Sequence, residues 1–271
     1  MKTVKTILLT IMTSVLVLSS TCSCTTSSRS NNRTAHKEIN DVAFHKVDIS
    51  SFFKVTFRKG DQYKVKVQVS ERFDPYLVSE INNGKLTIGF DRMKRGFFSR
   101  EDENLATVDI TAPSFSEIEL SGAVTMKLEG EWQLDEVSFD VSGAAKFQGN
   151  GIRAKELEIE QSGASSIRAN IAVDKLDIEA SGASKMELDA LCQFEGSQLT
   201  VDISGASKVN VAELPFQKVK VDASGAAKAQ VYPLNHLRAD VSGAANVYYV
   251  GTSKTLQTNV EKSGAGSISK L

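Results

Sequence analysis

Residues 137–147 read Val-Ser-Phe-Asp-Val-Ser-Gly-Ala-Ala-Lys-Phe, and this stretch contains both features that decide the fold. Apolar side chains alternate with polar ones at Val137, Phe139 and Val141, which is the two-residue period of a strand with one buried face. Ser-Gly-Ala then interrupts the strand, because glycine takes positive φ without steric cost and serine bonds locally to a turn. The stretch therefore predicts a strand, a tight corner and a second strand.

The Ser-Gly-Ala corner recurs eight times, at intervals of 18 to 23 residues. A period of about 20 residues is too short for a propeller blade and matches one coil of a solenoid. The predicted corner glycines are Gly122, Gly143, Gly163, Gly182, Gly205, Gly225, Gly243 and Gly264. Three residues before each serine, and again five residues after it, every copy has an apolar residue, so both positions are expected to face inward.

The fold class predicted from this repeat is all-β, a right-handed parallel β-helix with coils of about 20 residues. Eight coils at a strand spacing of ~4.8 Å would form a stack about 38 Å long. Two residues depart from the pattern at the inward position just before the serine: Gln161, before Ser162, and Lys262, before Ser263 in the terminal coil, are polar where the other copies have an apolar residue.

A column of acidic residues accompanies the repeat, two positions before each serine. Its members are Glu119, Asp140, Glu160, Glu179, Asp202, Asp222, Asp240 and Glu261. Like charges about 5 Å apart repel by about 1 kcal/mol in water, so something must offset the repulsion. The lysines four residues after the serines, Lys146, Lys185, Lys208 and Lys228, are the leading candidates. The alternative is calcium held between carboxylates of adjacent coils, although no calcium-binding repeat motif is present.

The first residues have the pattern of a signal peptide. Lys2 and Lys5 precede an apolar run over residues 7–18, and small residues follow up to Cys22 and Cys24. We interpret 1–23 as a lipoprotein signal peptide with Cys24 as the acylated anchor, Cys22 being the alternative. If so, Cys192 is the one other cysteine of the mature chain, no internal disulfide can form, and Cys192 is expected to be a small core residue.

The rest of the chain divides into three parts. Residues 24–41 begin with a Ser/Thr/Asn-rich run and predict a flexible tether. Residues 42–113 alternate like strands but lack Ser-Gly-Ala, with a turn at Asn83-Gly84, and predict a β-rich portion that caps the solenoid. Residues 114–271 form the repeat. The formal charge of −1 without a basic block argues against nucleic acid as a partner.

Four stretches together resemble a known family. They are Phe-His-Lys-Val-Asp-Ile at 44–49, Phe-Lys-Val-Thr-Phe at 53–57, Asn-Gly-Lys-Leu-Thr-Ile at 83–88 and Val-Asp-Ile-Thr-Ala-Pro at 108–113. With the recurring Ser-Gly-Ala, they resemble the GIN-type autotransporter adhesin head domain of bacterial envelope proteins over residues 42–271. The resemblance implies a β-helical fold and an envelope location, and it transfers no functional residues.

No catalytic constellation is visible in the sequence, and the three histidines lie outside metal or nucleophile motifs. We expect neither cofactor nor metal. Two groups are candidates for binding glycan, lipid headgroups or a protein: the cationic loop with Arg92, Lys94, Arg95, Phe97, Phe98 and Arg100, and the pair Tyr248 and Tyr249.

The function expected from the sequence is a non-catalytic, lipid-anchored envelope protein, associated with the outer membrane, that serves as an adhesin or binds glycan or protein. Two alternatives stay open. One is a calcium-assisted polysaccharide-degrading enzyme, for which a groove with clustered, non-repeating acidic and basic residues would be the distinguishing feature. The other is a purely architectural envelope component.

Overall fold

The computed structural model describes residues 33–91, 106–251 and 255–271, and most of them are in strands. The N-terminal strands are β1 (Thr34–Asn40), β2 (Lys46–Ile49), β3 (Lys54–Lys59), β4 (Lys64–Ser70), β5 (Leu77–Asn82), β6 (Lys85–Phe90) and β7 (Ala106–Ala112). The next are β8 (Glu117–Leu120), β9 (Thr125–Glu129), β10 (Trp132–Val141), β11 (Lys146–Gln161), β12 (Ser166–Ala180) and β13 (Lys185–Ala190). The last are β14 (Gly196–Ile203), β15 (Lys208–Ala223), β16 (Lys228–Val241), β17 (Asn246–Tyr249), β18 (Gln257–Lys262) and β19 (Ser267–Lys270). The helical content of the described ranges is one short 3₁₀ turn, Asp74–Tyr76, so they include no helix suited to crossing a membrane.

Successive coils stack as parallel strands, which confirms the predicted all-β solenoid. Their register is constant beside the corners and shifts farther from them, between Gly149 and Ile152 and between Asn210 and Lys218. Phe139 of β10 lies between Ile118 of β8 and Ile159 of β11, so the predicted apolar column is a physical column. We call the strand segments that precede the corners face A and those that follow them face B. The right-handed sense of the coil stays a prediction.

The Ser-Gly-Ala corners form one column along the stack. All eight glycines have φ between 68° and 81°, the left-handed region. The amide of the following alanine donates to the glycine carbonyl of the preceding coil, as in Ala206 N to Gly182 O at 2.7 Å. A Cβ on Gly205 would lie 2.6 Å from the same Gly182 oxygen, so both φ and the neighbouring backbone require glycine there.

A further corner extends this column without glycine. Ser51 has φ 77°, its carbonyl accepts a hydrogen bond from Ala123 N at 2.6 Å, and its place matches that of Gly122 in the next coil. A side chain fits at Ser51 because the strand on its other side is β6, which continues to Phe90 without a corner. The Phe90 amide donates to Ser51 Oγ at 3.3 Å.

The two apolar columns fill the interior, as predicted from parity. Their members are almost fully buried, except Val260 and Ile268 of the last coil, which are half-buried. Aromatic side chains dominate the early coils, where Trp132 contacts Phe57 and Phe115 at ring-centroid distances of 5.1 and 4.9 Å. Gln161 also points inward and is 3% exposed, and its Nε2 donates to the Lys185 carbonyl at 3.1 Å.

The N-terminal portion closes one end of the stack, but its coils do not follow chain order. The coil of β2 and β3 lies between the coil of β6 and β7 on one side and that of β8 and β9 on the other. Beyond β6 and β7, the strands are antiparallel: β5 pairs with β6, while β4 pairs with β7 and β1 with β4. β1 carries exposed charged side chains, which suit the outermost strand of a sheet.

Two expectations need correction. Residues 34–40 belong to strand β1, which pairs with β4 over its whole length, so the folded part starts well before residue 42. Cys192 is exposed rather than in the core, because it lies in the bend between β13 and β14, in the coil with the longest corner-to-corner spacing. Arg153 Nη1 lies 3.2 Å from its Sγ.

Candidate functional site

The outward side chains of face A form a shallow groove that runs along the stack. They come from positions four and six residues before each corner serine, which point away from the core by strand alternation. The groove has two adjoining parts, which share Gln198 and Thr200. Because parallel strands lie ~4.8 Å apart, each coil contributes one pair of side chains to the groove.

The part nearer the N-terminus, here called the acidic half, has a volume of about 470 Å³. Its charged lining residues are Lys46, Glu117, Glu136, Glu156, Glu158, Lys175 and Asp177. Both lysines are committed to ion pairs, Lys46 with Glu117 and Lys175 with Glu156. Glu158 and Asp177 lie directly opposite each other on adjacent strands, so the middle of this half carries uncompensated negative charge.

The other part, here called the basic half, has a volume of about 580 Å³. Its ionisable lining residues are Lys218 and Lys220 of β15 and His236 and Arg238 of β16. Gln198 and Thr200 lie on one side of these four, and Gln257 and Asn259 lie on the other.

The acidic column forms a separate surface beside the corner. Asp140, Glu160, Glu179 and Asp202 line a depression of about 320 Å³ with the corner serines, and a similar one of about 350 Å³ follows towards the C-terminus. Partial burial raises the pKa of Asp140, and the negative charges of Glu119 and Asp48 raise it further. Like-charge repulsion from the neighbouring coils therefore adds to burial in disfavouring the charged form of Asp140.

The lysine lattice proposed to offset this repulsion is wrong. In the described residues, none of Lys146, Lys185, Lys208 and Lys228 forms an ion pair with the acidic column, because these lysines lie on face B, across the corner. Lys185 instead pairs with Glu187 at 3.5 Å, and Lys228 Nζ lies 4.6 Å from the Tyr248 ring centroid.

At the two ends of the acidic column, cations of face A itself offset the repulsion between its carboxylates. Lys85 contacts Asp48 at 3.0 Å and Glu119 at 2.6 Å, and the hydrogen bond to Glu119 is the main cause of the raised pKa of Lys85. At the other end, Lys220 pairs with Asp222 at 2.6 Å and Arg238 with Asp240 at 3.3 Å. Across the described ranges, no group of three or more His, Cys, Asp or Glu side chains is arranged to hold a metal ion.

Of the residues predicted to bind, the structure describes Tyr248 and Tyr249. Arg92, Lys94, Arg95, Phe97, Phe98 and Arg100 lie outside the described residues, as do Cys22 and Cys24. Tyr248 and Tyr249 belong to β17 on face B, where Tyr248 is half-buried and Tyr249 packs against the core.

The groove was missed in the sequence, although a pattern for it exists. Of the outward columns that precede the serines, the prediction from the sequence used only the nearest, two residues before each serine. The next two outward columns change from mostly acidic in the coils of Glu156 and Glu158 to basic in the coils of Lys218 and Lys220. His236, one of three apparently scattered histidines, lies in this groove.

Comparison with known proteins agrees with this architecture. Residues 43–253 match the family described as "Putative auto-transporter adhesin, head GIN domain". The chain belongs to this family. None of the curated proteins compared with the chain matches it.

Solved structures of similar proteins share the fold. They include a putative adhesin from Parabacteroides merdae ATCC 43184, with 18% identity over 89% of this chain and 97% of that one, and a TM-score of 0.79. A putative lipid binding protein from Parabacteroides distasonis ATCC 8503 has 17% identity over 89% and 98% of the two chains, and a TM-score of 0.77. At such identities the likeness establishes the GIN-family fold, and the groove side chains must be interpreted from this chain alone.

Proposed function

We propose that this GIN-family chain is an exported, lipid-anchored envelope protein whose solenoid binds a glycan or protein in the face A groove, without catalysis. The groove is the observation that carries the proposal. A rigid stack of paired strands holds its side chains at fixed spacings, so a ligand meets a preorganised surface and the chain loses little conformational freedom on binding.

The family description and the predicted signal peptide support the proposed location. An apolar run followed by Cys24 is typical of a lipid-anchored chain. The charged, unevenly distributed side chains of the groove favour ligand binding over a purely architectural role, since a spacer needs only the regular inward columns.

The test uses the full chain, expressed with its leader in a diderm bacterium, purified in detergent and applied to a glycan array and to envelope protein extracts. Thr200→Trp places a bulky side chain at the junction of the two halves, and a strand surface tolerates tryptophan. We expect specific binding that this variant reduces at least tenfold.

The matched control is Asn210→Trp, which adds the same ring on face B of the neighbouring coil. Equal loss with both variants, or no specific binding by the parent chain, would refute the groove as the binding site.

The acidic half gives a reason to retain one second candidate, a polysaccharide-degrading enzyme. It contains the clustered, non-repeating acidic and basic residues that distinguish this alternative, including Glu158 and Asp177 near Lys175. Two carboxylates can cleave a glycosidic bond when one acts as acid and the other as base or nucleophile. Release of reducing ends from a bound glycan, abolished by Glu158→Gln, would establish catalysis. Unchanged glycan after prolonged incubation would exclude it for that glycan.

A further inference from the structure

The basic half of the groove places basic side chains opposite each other on adjacent strands. Lys218 lies opposite His236 in the register of β15 and β16, and Lys220 lies opposite Arg238. Opposing like charges destabilise a sheet, and an arrangement that a structural surface would avoid is a reason to look for a ligand. The positive charge of Arg238 indeed lowers the pKa of Lys220, although the hydrogen bond to Asp222 outweighs it and raises this pKa overall.

Two of the four side chains are available to a ligand. Lys220 and Arg238 are held by Asp222 and Asp240 at their outer side. Lys218 and His236 are exposed and have no ion-pair partner within the described part of the chain. Lys218 therefore offers a free ammonium group, next to the donors of His236 and of the flanking amides.

The groove's construction favours a glycan over other anions. β15 and β16 are paired with strands on both sides, so a peptide cannot bind here by adding a strand. The apolar residues beneath it, Leu199, Val219 and Leu237, are at most 3% exposed and offer no surface to an acyl chain. Side-chain amides lie at both ends of the basic half, and Thr200 adds a hydroxyl group at one end, so this half suits a ligand rich in hydroxyl groups.

We propose that the basic half of the groove binds a short segment of acidic polysaccharide, with its carboxylate or sulfate groups on Lys218 and His236 and its hydroxyl groups on Gln198, Gln257 and Asn259. This inference rests on the proposed function and names its ligand class. The four face A strands β14, β15, β16 and β18 cover roughly 14 Å at the usual spacing, which sets the length of the bound segment. The acidic half repels any continuation of the polyanion beyond Thr200.

The experiment measures binding of the full detergent-purified chain to three hexasaccharides: oligogalacturonate, a heparin-derived sulfated oligosaccharide and neutral cellohexaose. We expect the acidic ligands to bind and the neutral one to bind at least tenfold more weakly, with affinity falling as salt is raised. Lys218→Gln should weaken binding about fivefold, the upper range for one exposed charge contact, and Lys218→Gln with His236→Gln should weaken it further.

The matched control is Lys208→Gln, which removes the same charge from the face B end of the same strand, β15, and should leave affinity unchanged. Equal loss with Lys208→Gln, or binding unaffected by the double variant, would overturn the proposal. Vesicles containing anionic phospholipid and free inorganic phosphate are the competing sources of negative charge. Tighter binding to either than to the acidic hexasaccharides would also overturn it.

The outcome separates this inference from the proposed function. If neutral glycans or envelope proteins bind in a manner sensitive to Thr200→Trp while acidic glycans do not bind, the groove functions and only its ligand class is wrong. If nothing binds, both proposals fail.

Discussion

Substitution of a corner glycine in the middle of the stack tests the reasoning about the fold most directly. Gly205→Ala adds a single carbon at a residue with φ 69°. A non-glycine residue in this region costs roughly 1–3 kcal/mol. The new Cβ would also lie 2.6 Å from Gly182 O, closer than real Cβ atoms approach another atom, and 3.1 Å from Gly182 N, which is unusually tight. Relieving this overlap shifts a packed coil, which costs about 1–3 kcal/mol more.

The expected loss is therefore about 2–6 kcal/mol, or a fall in Tm of roughly 4–24 °C for a domain of this size. The assay is thermal unfolding followed by far-UV circular dichroism. Ser51→Gly provides the reciprocal control, because Ser51 has the same φ with a side chain already present. It should raise stability or leave it unchanged, despite loss of the Phe90 amide bond to Ser51 Oγ.

The size of the Gly205 effect also distinguishes the two causes. A loss near 1 kcal/mol would mean that only φ matters and that the coils separate easily. A Tm unchanged within 2 °C would refute the stacked-corner reasoning altogether.

Three further predictions concern the anchor and the acidic column. Cys24→Ser should abolish labelling of the expressed chain by radioactive palmitate; loss of label only with Cys22→Ser would move the anchor, and an unlabelled parent chain would remove it. Millimolar calcium should leave the Tm within 2 °C of the value measured in chelator at equal ionic strength. A specific calcium site would instead add about 2.7 kcal/mol to the free energy of unfolding when calcium is present at a hundredfold its Kd. A large rise in Tm that is lost on Asp202→Asn would restore the calcium alternative. Asp140→Asn should raise stability at pH 7 by up to about 1 kcal/mol. The pKa of Asp140 is raised in the folded protein, so its contribution to stability is present below the ordinary carboxyl pKa and is lost as the pH rises through the raised value. The gain should vanish near pH 3 in denaturant titrations, and an equal gain at both pH values would contradict this account.

The repeat part of the fold could be predicted because its constraints are local and recurrent. Ile118, Phe139 and Ile159 stand at the same position before the corner in successive coils, so strand alternation points all three inward. A corner that needs positive φ can be recognised from its glycine alone. The N-terminal end could not be predicted in the same way. That β2 lies between β6 and β8 is a matter of connection between distant strands, which periodicity does not encode.

Side chains outside the core were predicted less well, for a physical reason. Parity places Lys208 and Asp202 on the outside but does not say on which face, and the corner between them turns the two side chains onto different sheets. Cys192 was assigned to the core from its residue type, although the extra residues of its coil carry it into an exposed bend.

The contrast between inward and outward columns explains why the binding specificity of this chain lies in its outward side chains. Each inward residue is fixed by the coil above and the coil below, so Val201 and Val221 follow the repeat whatever the protein binds. Outward residues carry no such constraint, and an architectural rod would place opposite charges across neighbouring strands, as Arg168 and Glu187 do at 2.8 Å on face B. Lys218 opposite His236 departs from that arrangement, as Glu158 opposite Asp177 does in the acidic half. Neither Lys218 nor His236 has an ion-pair partner within the described residues, so an anionic ligand would supply the negative charge that this part of the sheet lacks, and this argument points from the scaffold to the basic half of the groove.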